Sequence, residues 1–191
     1  MQRPRRRTAG RWSTSHRRAE SLQLERRGRL VADRAEYFKI VEGKTASLFR
    51  WAMLAGARST NLGEKAEGAL DRYGLHLGVA FQLIDDELDF RTGTGKDPLV
   101  DLREGKMTYP LVVAIERQPA LQAQMEQALR EEQPDFESIA TIIRETGALV
   151  ATRKLAEEHA NRALEALTVL PEGPARDALE TVVLASLERK S

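Results

Sequence analysis

The chain contains no cysteine, which excludes a disulfide framework, a thiol nucleophile and a zinc–thiolate centre. Aromatic residues make up only 5% of its 191 positions, whereas Ala, Leu, Glu and Arg dominate, the balance of a helical protein. No apolar run approaches the length of a membrane span, so no membrane-crossing segment is expected and a reducing cytoplasm is the default location. Acidic residues are missing from positions 1–19, which carry seven arginines (Arg3, Arg5, Arg6, Arg7, Arg11, Arg17 and Arg18) within a net charge of only +1. The rest of the chain therefore sums to −6. Strand-like alternation does not persist anywhere, and no internal repeat is evident.

Residues 1–19 lack an apolar period and are expected to be a disordered arm. Contact with nucleic acid or anionic lipid, a transit-like segment, and non-native coding sequence ahead of a truncated or mis-started frame are the competing explanations. Arginine content alone does not make the chain a nucleic-acid binder, and no such partner is expected.

From about Glu20 onward the pattern is helical. Asp33 is a candidate N-cap for a helix over 33–56, with Phe38, Val41, Thr45, Leu48 and Ala52 on one stripe. A break at 59–63 precedes a helix over 64–90. Residues 91–106, with Gly93, Gly95, Pro98 and Gly105, form one extended loop in this reading. Pro110 opens the next helix from its first turn. Further helices are expected near 119–131, 135–146, 148–169 and 174–189, giving an all-α antiparallel bundle.

The densest chemistry lies on the helix ending near Phe90. About 100° of rotation per residue puts Gly78, Gln82, Asp85, Asp86 and Asp89 within one arc of about 100°. Leu77, Ala80, Phe81, Ile84 and Leu88 then form the opposite, core-facing side. Like charges three or four residues apart repel, so such a stripe is either solvated surface or neutralised by a cation. Mg²⁺ suits it, because that ion takes one or two carboxylates together with waters and substrate phosphates. Gly78 would let a ligand approach the backbone.

Lys44 and Thr45 lie on the preceding helix, where antiparallel packing could bring them near Gln82 and the aspartates. Lys96 and Lys106 follow in the loop, and lysine ammonium groups suit phosphate oxygens, although any single one is ordinarily plain surface. Gly43-Lys44-Thr45 is not a phosphate-binding loop, because no glycine lies five residues earlier and no strand precedes it. His76 and His159 stand isolated in the sequence, without carboxylate or cysteine partners at metal-ligand spacing.

Three blocks together, Glu42-Gly-Lys-Thr45, Gly78-Val-Ala-Phe-Gln-Leu-Ile-Asp-Asp-Glu-Leu-Asp89 and Asp101-Leu-Arg-Glu-Gly-Lys-Met-Thr-Tyr-Pro110, resemble the trans-polyprenyl diphosphate synthase family in order and spacing. The middle block resembles that family's second aspartate-rich motif. The resemblance implies a helical bundle of the isoprenoid synthase type and a Mg²⁺-dependent prenyltransferase joining an allylic diphosphate to isopentenyl diphosphate. It further implies Asp85, Asp86 and Asp89 as metal ligands. Lys44, Lys96 and Lys106 would contact the diphosphate, with Thr45 and Gln82 supporting the reacting end. A homodimer, or pairing with a full-length synthase, would follow.

One departure stands out. Asp85-Asp86 is the only Asp-Asp pair, so a counterpart of the family's first aspartate-rich motif is not found, and by the resemblance the N-terminal helices that carry it are expected to be missing. Residues 20–191 thus resemble the C-terminal part of a synthase. Stand-alone elongation is not expected, and a non-catalytic partner or regulatory subunit of a full-length synthase is the alternative.

Overall fold

The computed structural model describes residues 30–90 and 99–189, and among these every regular element is helical. The elements are α1 (Arg34–Val41), a π turn (Glu42–Ala46), α2 (Ser47–Ser59), α3 (Glu64–Leu88), α4 (Val100–Arg103), α5 (Tyr109–Arg117), α6 (Ala120–Ala128), α7 (Phe136–Glu145), α8 (Ala148–Leu167) and α9 (Pro174–Leu187). None is long and apolar enough to cross a membrane. The arm and residues 91–98, Lys96 among them, lie outside the described residues.

The punctuation in the sequence sets most of these boundaries. The Asp33 side chain accepts from the backbone N–H groups of Ala35 and Glu36, taking up donors that the first turn of a helix cannot pair internally. Pro110 sits in the first turn of α5 and Pro174 in that of α9. Gly147 takes a positive φ of 71° to turn α7 into α8, a conformation with little penalty only for glycine.

Helix α3 is the axis of the molecule, packed chiefly against α8 and α2. Its contacts with α2 run in opposite chain directions. A Cβ on Gly74 would stand 2.8 Å from Arg50 Cα, and one on Gly78 would stand 2.5 Å from Ala46 Cα. Both glycines are therefore spacers that let two backbones touch. Gly78 opens no path for a ligand, contrary to its expected role, because the backbone of the π turn already fills the space beside it. On the other side of α3, the small residues Ala156, Ala160 and Ala163 of α8 are fully buried. Leu77, Ala80 and Ile84 lie inside as expected, with Phe81 and Leu88 half-buried.

The π turn is the main departure from the expected uninterrupted helix over 33–56. The Ser47 N–H reaches the Glu42 carbonyl five residues back, and the Ser47 hydroxyl donates to the Gly43 carbonyl at 2.7 Å. One extra residue in the turn rotates everything after it by about 100°. Val41 stays buried, whereas Leu48 (48% exposed) and Ala52 leave the predicted stripe for the surface. The expected single loop over 91–106 also contains helix α4 in its second half.

Candidate functional site

A cavity of about 260 Å³ opens where α1, the π turn, the C-terminal half of α3 and the segment 101–108 meet. Lys44, Thr45, Gln82, Asp85, Asp86, Asp101 and Lys106 all line it. The π turn contributes Lys44 and Thr45, and bulges of this type recur at functional sites because they redirect side chains without ending a helix.

Asp86 is the best-held member. It is 2% exposed and accepts three hydrogen bonds: from Tyr37 Oη at 2.7 Å and the Tyr109 N–H at 3.0 Å on Oδ2, and from Gln82 Nε2 at 2.9 Å on Oδ1. Tyr109 opens α5, so its N–H has no acceptor within that helix and is available to a carboxylate. Burial pushes the Asp86 carboxyl up to about 7 despite these three donors, which favour the ionised form. The network extends one step further, because Thr45 Oγ1 donates to Gln82 Oε1 at 2.8 Å. This fixes the Gln82 amide with its nitrogen towards Asp86 and its oxygen towards the π turn.

Its two companions have different surroundings. Asp85 is half exposed (49%), lies on the cavity wall and meets Arg189 Nη2 at 3.4 Å. Asp89 is not among the cavity-lining residues. Its carboxyl accepts from the backbone N–H groups of Asp101 and Val100, and burial together with nearby Asp101 raises it to about 6. One helical stripe thus divides into a buried acceptor, an open carboxylate and a loop-binding carboxylate.

Lys106, also in the lining, has its Nζ 2.9 Å from Asp101 Oδ1 and 2.7 Å from Glu104 Oε2. Burial would lower its pKa, but the bonds to Glu104 and Asp101 outweigh that and hold the ammonium above its ordinary value.

Among the described residues no cluster of three or more His, Cys, Asp or Glu side chains is set to hold a metal ion. Of the three aspartates on the arc, Asp86 is buried under three donors and Asp89 is not among the cavity-lining residues, so Asp85 is the one most accessible to a cation from the cavity. One open carboxylate beside lysines does not build an all-protein cage. It does fit Mg²⁺, which keeps most of its waters and shares substrate phosphates.

Sequence spacing gave no sign of several of these groups. Tyr37 and Asp86 are 49 residues apart, and Arg189 reaches Asp85 from the far end of the chain. Asp101 opens the block Asp101–Pro110, but nothing in the sequence shows it bonded to Lys106. The two histidines are not isolated. Nδ1 of His76 on α3 and Nδ1 of His159 on α8 lie 3.2 Å apart, and His159 stacks on Phe38. A shared hydrogen bond requires at least one neutral ring, and burial lowers both, His159 to about 4.

The sequence profile of the polyprenyl synthetase family matches residues 11–146. A prenyl transferase of Cyanophora paradoxa is 37% identical over 157 residues, covering 81% of this chain and 48% of that protein. An octaprenyl diphosphate synthase of Haemophilus influenzae is 37% identical over 163 residues, covering 81% and 49%. The crystal structure of a polyprenyl synthase from Caulobacter crescentus CB15, complexed with calcium and isoprenyl diphosphate, superposes with a TM-score of 0.88 at 38% identity. That superposition covers 96% of this chain and 58% of the other. The chain spans about half the length of the curated relatives it matches. With three sequence blocks, a shared helical architecture and these matches in agreement, the chain belongs to the polyprenyl synthetase family.

Proposed function

We propose that the chain carries the allylic-diphosphate side of a Mg²⁺-dependent prenyl transfer, in which an allylic diphosphate is condensed with isopentenyl diphosphate. The observation that carries the reading is the cavity itself. It gathers a half-exposed carboxylate, Asp85, and lysines from two separate elements, Lys44 of the π turn and Lys106 ahead of α5, in one lining. Family membership supplies the reaction class.

In this reading Asp85 would bind Mg²⁺ directly. Asp86 would hold the end of α3 against α1 and α5, and Asp89 would tie α3 to the start of α4. Lys44 and Lys106 would meet diphosphate oxygens as compact donors, and Lys96, outside the described residues, would be a third such donor. Thr45 and Gln82, already oriented by their hydrogen bond, would line the reacting end. Bound Mg²⁺ would offset the negative charge that grows on the leaving diphosphate, the kind of electrostatic aid that dominates such steps.

Binding and elongation separate in the test. Purified chain mixed with an allylic diphosphate and Mg²⁺ is expected to bind the ligand by calorimetry. With labelled isopentenyl diphosphate added, it is expected to make little or no elongated product alone. Absence of Mg²⁺-dependent binding would overturn the site assignment, and robust long-chain product would overturn the half-site reading.

A second reading is a non-catalytic partner of a full-length synthase, in addition to self-pairing as a homodimer. It is favoured by the exposed apolar arc of Leu48, Ala52 and Ala55 on α2, a surface suited to another helix. Co-purification with a full-length synthase, lost in Leu48→Glu, would support it, and a monomer that pairs with neither would end it.

A further inference from the structure

Helix α9 brings the end of the described chain to the acidic end of α3, and Arg153 of α8 holds it there. Arg153 Nη2 donates to the Leu187 carbonyl at 2.7 Å and Nη1 to Glu87 Oε2 at 3.3 Å. One guanidinium thus ties the last turn of α9 to a residue two positions from Asp85. Two residues beyond Leu187, the Arg189 guanidinium lies over the Phe81 ring, 4.3 Å from its centroid, and meets Asp85 Oδ1 at 3.4 Å. Its Nη1 is buried and makes no hydrogen bond. Arg189 is therefore held in place by a ring, an anchored helix end and a carboxylate, with one donor to spare.

We propose that Arg189 is a competing cation for Asp85, a latch at the end of α9 that neutralises this carboxylate until a divalent metal displaces it. The proposal rests on the reading of Asp85 as the metal-binding carboxylate. A divalent ion bound to Asp85 would lie within a few ångströms of the guanidinium, and the two positive charges would repel. Asp85 thus serves one cation well at a time. The pair is half exposed, so the latch tunes the affinity without blocking the site, by roughly two- to fivefold, the range of an exposed ion pair. On displacement the arginine would keep its contact with Phe81 and its spare donor.

The test uses the full chain with Mn²⁺ alone as the probe, followed by water-proton relaxation enhancement. Arg189→Gln is expected to bind Mn²⁺ roughly two- to fivefold more tightly than the parent. Asp85→Asn is expected to lose the binding, and the double variant is expected to be no better than Asp85→Asn. Arg189→Lys, which keeps the charge, stays close to the parent. If Arg189→Gln binds Mn²⁺ no more tightly while Asp85→Asn still abolishes binding, the latch is refuted and the metal site stands. If Asp85→Asn leaves Mn²⁺ affinity intact, the metal assignment falls and the latch with it.

Discussion

Asp86 offers the sharpest quantitative test of the site, because its burial and its three donors act on its charge in opposite directions. Its pKa of about 7 in the fold, against 3.8 for an unperturbed aspartate, makes the ionised form costly by about 4 kcal/mol. Between about pH 4 and 7 the folded state retains a proton that the unfolded chain has released. This group's contribution is therefore most favourable below pH 4 and is lost as the pH rises towards 7.

Asp86→Asn removes the titration and keeps the shape. Its side-chain oxygen can still accept from Tyr37 and Tyr109, but its amide nitrogen would face Gln82 Nε2. The Gln82 amide must then flip, and the Thr45 hydroxyl must turn from donor to acceptor. That rearrangement should cost only about 1 kcal/mol at acidic pH. From pH 4.5 to 8 the variant should gain on the parent by up to about 4 kcal/mol. Asp86→Ala instead strands all three donors and should lose about 3–5 kcal/mol at acidic pH. Urea unfolding followed by circular dichroism in chelator-containing buffers measures both. Subtracting the parent curve cancels the other titrating groups, including the histidine pair, whose pH dependence has the opposite sign. A flat difference for Asp86→Asn would refute the reasoning, since it would mean that the donors and not burial govern Asp86.

Gly78→Ala should destabilise the fold by about 1–3 kcal/mol, because its Cβ meets the Ala46 backbone, whereas Gly56→Ala, with nothing within 4 Å, should stabilise it by about 0.5–1 kcal/mol. Melting curves of the two variants should therefore shift in opposite directions. His159→Gln should flatten the stability profile between about pH 4 and 6.5, where the folded ring stays neutral while the unfolded one takes up a proton and so favours unfolding. Equilibrium unfolding across that window reads the change in slope. Lys106→Gln should change stability by under about 1 kcal/mol, since its ion pairs are partly exposed. It should nonetheless weaken binding of Mg²⁺ with inorganic diphosphate by roughly tenfold in calorimetry.

The sequence by itself determined what depends on neighbours in the chain. Apolar period and proline and glycine punctuation placed α3 and α5–α9 to within a few residues. Asp33 marked where α1 begins, and the aspartate arc on α3 followed from helical geometry alone. Its motif order also identified the family. Only the tertiary structure decided how those residues differ from one another. Three aspartates on one arc are equivalent in a helical projection, yet Tyr37, Gln82 and Tyr109 bury one, a cavity opens beside another and α4 engages the third. The register slip at the π turn, the pairing of His76 with His159 and the reach of Arg189 to Asp85 were equally hidden. The physical reason is common to all of them. Local periodicity specifies which face a side chain occupies, whereas desolvation and hydrogen bonding depend on which distant segment is packed against that face.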